Sequence, residues 1–496
     1  MKGNLRVMLS PLLSWPFCLI VVTLLGMVLR LVFLGRWSLY GDEWFTLNDA
    51  AEIGQLPFSE MKPAIRTFPL IYILTRMVTA WWGYSEWVLR LLPCVFGILA
   101  VPLSAMLARP VAGKGNALIA ALFMAISPWL LFHSQMARFY TGASLFGMIA
   151  IFLLYRGISM PSLTRMWVGM SSLLVAMLFH PSAAMILPVF IFYSLTIRFV
   201  DRSVRLPPIR YYIPLLLPLL CGGLFLIFNF SSFVDIMLVN LAQSPTWAYS
   251  VAHLLLGIVY NFGYHIFLFA IFGFITLWHP QRALAYYLML HMGLTVLVLA
   301  VLAFLGKATG QRYTLAVIST LYLLAGCGVY TLIGDLFQKN RIWFVVALMA
   351  FLVPFLPSLL SHYKDGDRLD FRKAAVIIGE QLREDDAVIS QTHAILLHYL
   401  DEYYKSCAGM KPSDLRIFEA SSRFTGEWLD NVADSAQRIW IVLEESRYQA
   451  GPGFFTEEFR SFIRDHCRLV TEIFQTRYDY HRNVLRVYLF ESGSKR

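Results

Sequence analysis

Apolar residues arrive in long unbroken runs over the first three-quarters of the chain, with polar residues confined to the gaps between them. The runs fall near 12–34, 86–108, 115–132, 139–155, 166–179, 182–197, 211–229, 251–277, 284–305, 313–334 and 342–360. A helix rises 1.5 Å per residue, so about 20 apolar residues cross the hydrocarbon of a bilayer. The pattern therefore predicts about eleven transmembrane helices, that at 166–179 being short. The first run is longer than a signal-peptide core and has no small-residue cleavage site after it, so it reads as a retained span. Past residue 360 the pattern shortens and alternates. Helices are predicted near 371–383 and 393–402, and strands over AVIS, LRIF, RIWIVL and NVLRVYLF. The expected fold class is an α-helical polytopic membrane protein with a C-terminal α/β extracytoplasmic domain. Residues 1–360 form the membrane body, with a first outer loop at 35–85, and residues 361–496 form the domain.

Composition agrees with lipid as the main solvent. Of the 496 residues 58% are hydrophobic and 15% charged, with mean hydropathy +0.61, against roughly a quarter charged in soluble domains. The net charge of +10 is not gathered into a basic, aromatic-laced soluble patch, so nucleic acid is not an expected partner. It is topogenic instead. With the N-terminus inside, the inner gaps hold Lys2, Arg6, Arg109, Lys114, Arg156, Arg165, Arg198, Arg202, Arg205, Arg210, Arg282, Lys339 and Arg341, opposed there by Asp201 and Asp335. An odd number of spans then puts the C-terminal domain outside.

The outer gaps are unequal. The loop at 35–85 has amphipathic segments near 44–54 and 68–82, with Trp81, Trp82 and Tyr84 suited to the headgroup layer. Smaller outer loops cover about 230–250 and 306–312. Cys407 and Cys467 fall in the outer domain, where an oxidising compartment would allow them to pair. The other four cysteines lie inside apolar runs. No Cys/His ligand spacing or glycine-rich phosphate loop is present, so neither metal nor cofactor is expected.

Candidate chemistry stands at the outer ends of the spans. Asp42 and Glu43, in WSLYGDEWFTLN, follow the first span directly. An acidic pair is often only a solvated loop start. At the edge of an anionic headgroup layer, held by an amphipathic segment, a carboxylate is also a candidate general base. Arg66, Arg138, Lys307 and Arg312 lie where the positive-inside rule discourages cations. One arginine so placed can snorkel to headgroup phosphate, whereas several on one face suggest a phosphate site, since arginine binds phosphate oxygens bidentately. His133, Tyr140, His180 and Tyr313 lie beside these cations and are candidates for substrate contact, although a lone histidine is more often structural. Arg30 and Arg90 are expected to pair with an acid or a headgroup, Glu86 being a nearby acid.

These segments resemble, in order, the polytopic glycosyltransferases of the GT-C superfamily, within it the dolichyl-phosphate-mannose–protein mannosyltransferase-like group that includes the aminoarabinose transferases of lipid A. LRLVFLGRWSLYGDEWFTL resembles the exit of that group's first span. TFPLIYIL resembles a loop segment that usually carries a double proline, where this chain has Phe68. YSEWVLRLLPCVFGILAVPL resembles the second span, SPWLLFHSQMARFYTGASL an arginine–aromatic outer turn, QRYTL a later Arg-Tyr, and DFRKAA with DDAVIS the start of the outer domain. The resemblance implies a bacterial inner-membrane enzyme that takes a sugar from a polyprenyl-phosphate donor and passes it, with inversion, to an extracytoplasmic acceptor. It implies Asp42 as base, Glu43 orienting it or holding a donor hydroxyl, and Arg138 and Arg312 on the departing phosphate, with Lys307 or Arg66 in support. The alternatives are a flippase or transporter of polyprenyl-linked sugars, an O-antigen polymerase-like enzyme, and a non-catalytic membrane scaffold.

Overall fold

Serine caps begin many of the helices. Ser14, Ser85, Ser127, Ser162 and Ser250 each accept a backbone N–H in the first turn of the helix that follows, which satisfies one of the four donors a helix N-terminus leaves open. The computed structural model describes residues 14–224, 227, 250–306, 310–407, 416–419, 436, 438–446, 457–474 and 483–491.

Over the described residues, each apolar run predicted from the sequence is answered by apolar helix. By length and composition six helices suffice to cross a membrane among these residues: Glu86–Ala112, Tyr140–Ser159, Pro181–Val200, Arg282–Phe304, Gln311–Gly334 and Ile342–Lys364. The number reaches eight if each of two bent pairs is one span. The chain is thus a multi-pass membrane protein, but the predicted count of eleven is not established. Trp15–Leu31, Leu163–Phe179 and Ile209–Leu224 are shorter apolar helices among the described residues.

The two bent pairs have local causes. Lys114–Ile126 and Pro128–Ser134 meet at 57°, where Pro128 has no N–H to give back to the carbonyl of Met124. Arg30 supplies the missing donors. Its guanidinium is fully buried and bonds Met124 O at 2.8 Å and Ala125 O at 2.9 Å, with Gly26 O and Ser134 Oγ alongside. Arg90 likewise donates to Leu34 O at 3.1 Å. Backbone carbonyls are therefore partners of both arginines, for which the sequence suggested acids or headgroups. The second pair, Val251–Phe262 and Tyr264–Trp278, turns by 87° at Gly263, whose φ is +88°. Elsewhere the helices approach closely: a Cβ on Gly273 would run into the carbonyl of Leu324, and one on Gly328 into that of Phe269. Small residues let membrane helices pack in this way without a hydrophobic driving force.

By its packing the chain divides into two compact units, one of residues 1–35 with 46–359 and the other of 36–45 with 360–496. Among its described residues the second unit is built on a five-stranded sheet: β1 (Asp386–Ser390), β2 (Arg416–Glu419), β3 (Arg438–Ser446), β4 (Cys467–Phe474) and β5 (Asn483–Glu491). Their order is β2-β1-β3-β5-β4, with β1 parallel to β2 and β3, and β5 antiparallel to β3 and β4. Ala387, Ile389, Ile439 and Ile441 point to one face, where Phe459 and Ile463 of the helix Glu457–His466 close a core. Trp440 is fully buried and donates its indole N–H to Asp386, which Arg438 also engages at 3.2 Å. Neither β4 nor the helix before it was expected from the sequence.

Cys407 and Cys467 are free thiols. Cys407 ends the helix His393–Ser406, which packs against β1 and β2, while Cys467 opens β4 at the opposite edge. At about 4.8 Å per strand the sheet separates them by far more than a disulfide spans. Burial pushes the Cys467 thiol up to about 12.

Candidate functional site

The acidic pair opens the helix Gly41–Glu52, and its two members sit in different surroundings. Glu43 is fully buried. Its carboxylate accepts the N–H of Tyr40 at 3.0 Å, the backward half of a capping box, and faces the Arg368 guanidinium at 3.7 Å. Asp42 is half-buried, since successive helical residues point about 100° apart around the axis. Sequence reasoning had no means of finding Arg368, more than three hundred residues away.

The segment before the pair is tied to the C-terminal residues of the same unit by directed bonds. Ser38 donates to Leu369 O at 2.7 Å, Leu39 N–H to the Tyr399 hydroxyl at 2.6 Å, and Arg372 to Arg36 O at 3.0 Å. Arg372 also lies over the Tyr399 ring, and Trp44 packs against His398. Gly366 makes this approach possible: its φ is +69°, and a Cβ there would strike the Trp37 ring. The left-handed turn continues at Asp367 (φ +53°), whose carboxylate holds His362 at 3.2 Å and Ser361 at 3.3 Å.

Within the membrane unit a different group assembles around His180, which lies in the break between the helices Leu163–Phe179 and Pro181–Val200. Its ring is sandwiched by Phe139 (4.2 Å between centroids, 14° between planes) and Tyr313 (5.1 Å, 18°), with Phe68 tilted against it at 5.5 Å. Phe68 also packs against Phe139 and Tyr72, at 5.5 and 5.8 Å between centroids. The His180 Nδ1 accepts the N–H of Ser182 at 3.2 Å and lies 2.8 Å from that residue's hydroxyl. Nδ1 is thus an acceptor, which leaves the proton of the neutral ring on Nε2. Burial pushes the imidazole down to about 3, with the Arg138 and Arg312 guanidiniums adding to the effect. Each arginine lies over one of the two rings that sandwich His180, Arg138 over Phe139 at 4.9 Å and Arg312 over Tyr313 at 5.9 Å.

Arg138 lies on the irregular turn between Pro128–Ser134 and Tyr140–Ser159, donates to Thr46 Oγ1 at 3.0 Å and covers the Phe139 ring. The same turn is held by Gln135, whose amide bonds the carbonyls of Arg30 and Val32. Arg312 opens the 3-10 turn Gln311–Val317, which Asn261 anchors through Gln311 at 2.6 Å. Arg312, Tyr313, His180, Tyr140, Ser144 and Ser182 are among the residues lining a small pocket.

Two further described candidates, His133 and Arg66, are not among that lining. His133 is fully buried with its ring edge-on to Trp129, Phe132 and Tyr140, so it supports Tyr140 from behind. Arg66 is half-buried in the short helix Pro63–Thr67, and its Nε makes no hydrogen bond. Lys307 lies outside the described residues, as does most of the outer loop expected at 230–250. The described residues hold no group of three or more His, Cys, Asp or Glu able to bind a metal.

No known sequence family matches the chain, and no curated protein matches it. Solved structures do. ArnT from Cupriavidus metallidurans matches in its apo state with TM-score 0.55 at 15% identity, over 94% of this chain and 97% of that one. The same protein bound to undecaprenyl phosphate matches with TM-score 0.53 at 15% identity, over 94% and 97%. The oligosaccharyltransferase AglB from Archaeoglobus fulgidus, in complex with an inhibitory peptide and a dolichol-phosphate, matches with TM-score 0.52 at 13% identity, over 86% of this chain and 69% of that one. The chain thus shares the fold of these two proteins.

Proposed function

We propose that this protein is a glycosyltransferase that moves a sugar from a polyprenyl-phosphate donor to an extracytoplasmic acceptor, in the bacterial inner membrane, with its N-terminus cytoplasmic and its C-terminal domain outside. One observation carries the reading: Arg312 and the stacked His180 line an aromatic-walled pocket at a break between membrane helices, with Arg138 over the Phe139 ring that stacks on His180. Two such cations suit a phosphate that gains charge. The fold supports it, because ArnT bound to undecaprenyl phosphate and AglB with dolichol-phosphate share it. The bias of basic residues toward the inner gaps supports the orientation. A lipid-borne donor also fits a face of the membrane where nucleotide sugars are not supplied.

The reaction is a single displacement. The acceptor hydroxyl attacks the anomeric carbon, the C–O bond to phosphate breaks, and the configuration inverts. Asp42 takes the hydroxyl proton and later returns it to water. The electron pair leaves on the lipid phosphate, where Arg138 and Arg312 meet the developing charge and His180 offers its Nε2–H. Tyr140 and Tyr313 border the sugar, and Arg66 and Lys307 are auxiliary cations. No step calls for a metal or cofactor.

Broken helices would also suit a flippase. In the first bent pair, however, the break is filled by the Arg30 guanidinium rather than left open to a cargo. The test is sugar transfer from a panel of radiolabelled polyprenyl-phosphate sugars in membranes containing the wild type or Asp42→Asn. Transfer that is lost in the variant supports the reading, and flipping of a lipid-linked sugar without transfer overturns it.

A further inference from the structure

One member of the acidic pair, Glu43, forms a buried ion pair with a cation from the C-terminal domain of the same unit. We infer that Arg368, through Glu43, is the positioning residue for Asp42, so that the C-terminal domain sets the geometry of the base. The inference rests on the proposed role of Asp42.

Four observations point the same way. Arg368 is 1% exposed and Glu43 0% exposed, 3.7 Å apart, so water neither competes for the pair nor screens it. Glu43 also takes the Tyr40 N–H, which fixes the start of the helix on which Asp42 is the second residue. The strand of chain leading there is pinned at Ser38 and Leu39 by Leu369 and Tyr399. Trp37 lies against Gly366, where any side chain would displace it. The positions of residues 36–43 are thus dictated by residues 366–399. Asp42 rides on the first turn of the helix so held, and its half-buried carboxyl takes its place from that latch. A carboxylate that must meet a hydroxyl at hydrogen-bond range gains most from such support, since a 1 Å misplacement costs on the order of 100-fold in rate.

The experiment uses the full-length protein in proteoliposomes with the polyprenyl-phosphate sugar that the panel identifies, comparing Arg368→Met, Arg368→Lys, Tyr399→Phe and Arg486→Ala. Arg486 pairs with Glu472 at 2.7 Å across β4 and β5, and its loss is the control that leaves transfer unchanged. Arg368→Met is expected to lower kcat about 10- to 100-fold with donor KM unchanged. Arg368→Lys should recover part of that loss, and amide exchange over residues 38–46 should accelerate while that of β1 and β3 stays slow. Tyr399→Phe, a milder change, should give a smaller loss of the same kind should Arg368→Met fail to fold. Wild-type kcat in a folded Arg368→Met, or a fall in kcat with exchange over 38–46 unchanged, overturns the inference. Wild type without transfer from any donor overturns the functional reading itself, with the exchange measurement still deciding whether the latch exists.

Discussion

Asp42 and Glu43 are neighbours in sequence but not in burial, and their substitutions should part company. Asp42→Asn keeps shape and removes the base, so transfer is expected to fall by about 100- to 10,000-fold while the purified protein melts within a degree or two of wild type. Glu43→Gln breaks the buried Arg368–Glu43 ion pair by removing its negative partner, a change that costs about 3 kcal/mol or more. A lowered melting temperature in detergent, with parallel loss of activity, is the outcome to look for. His180 makes a prediction about pH. Its folded-state value is pushed down to about 3, so the unfolded chain binds the proton first as pH falls. The stability of the neutral ring is fully present above about 6.5 and is lost progressively below it. Melting temperatures measured from pH 7 to pH 4 should fall, and His180→Phe should flatten that slope. These residues were legible to different degrees. A charged side chain at the outer end of an apolar run stands out, so Arg138, Arg312 and His180 were visible in the sequence. The Phe139–His180–Tyr313 stack was not, because its members come from three separate turns.

Among the elements, the spans were readable because lipid permits few solutions: backbone groups must be satisfied within a helix, and that demands long apolar runs. Their breaks were less so. Pro128 announces an interruption, but the donor that repairs it is Arg30, on another helix nearly a hundred residues earlier. Arg30→Met is expected to leave the Met124 and Ala125 carbonyls buried without donors, at about 1–3 kcal/mol each. Folded yield from detergent extraction should drop sharply, whereas an exposed lipid-facing change such as Leu195→Ile should leave it unchanged. In the C-terminal domain β1 and β3 were evident as apolar strands. The edge strand β4 was missed because Arg468, Thr471 and Glu472 interrupt its alternation, and edge strands carry such polar residues for good reason.

For the whole molecule, the division into units matters more than the count of spans. Residues 36–45 belong with 360–496 and not with the membrane helices that flank them in sequence. A chain ended after residue 364 should therefore still insert and be extracted as a helical protein, yet transfer no sugar, because the segment bearing Asp42 has lost its partners. Circular dichroism together with the transfer assay checks this, and retained activity would show the domain to be dispensable. The sequence suggested two parts but could not reveal this exchange, since hydropathy reports which solvent a residue meets and not which neighbour it keeps.

That arrangement also carries a clock. Ser38 and Leu39 find their partners 331 and 360 residues later in the chain. At synthesis rates of about 5–20 residues per second, the acid-bearing segment waits roughly 15 to 70 s after it emerges before the residues that hold it exist. During that interval every later membrane helix has time to insert. A ribosome that stalls, or a chain clipped short, leaves behind a protein already in the membrane but not yet armed, so the last part made decides when the first part is allowed to act.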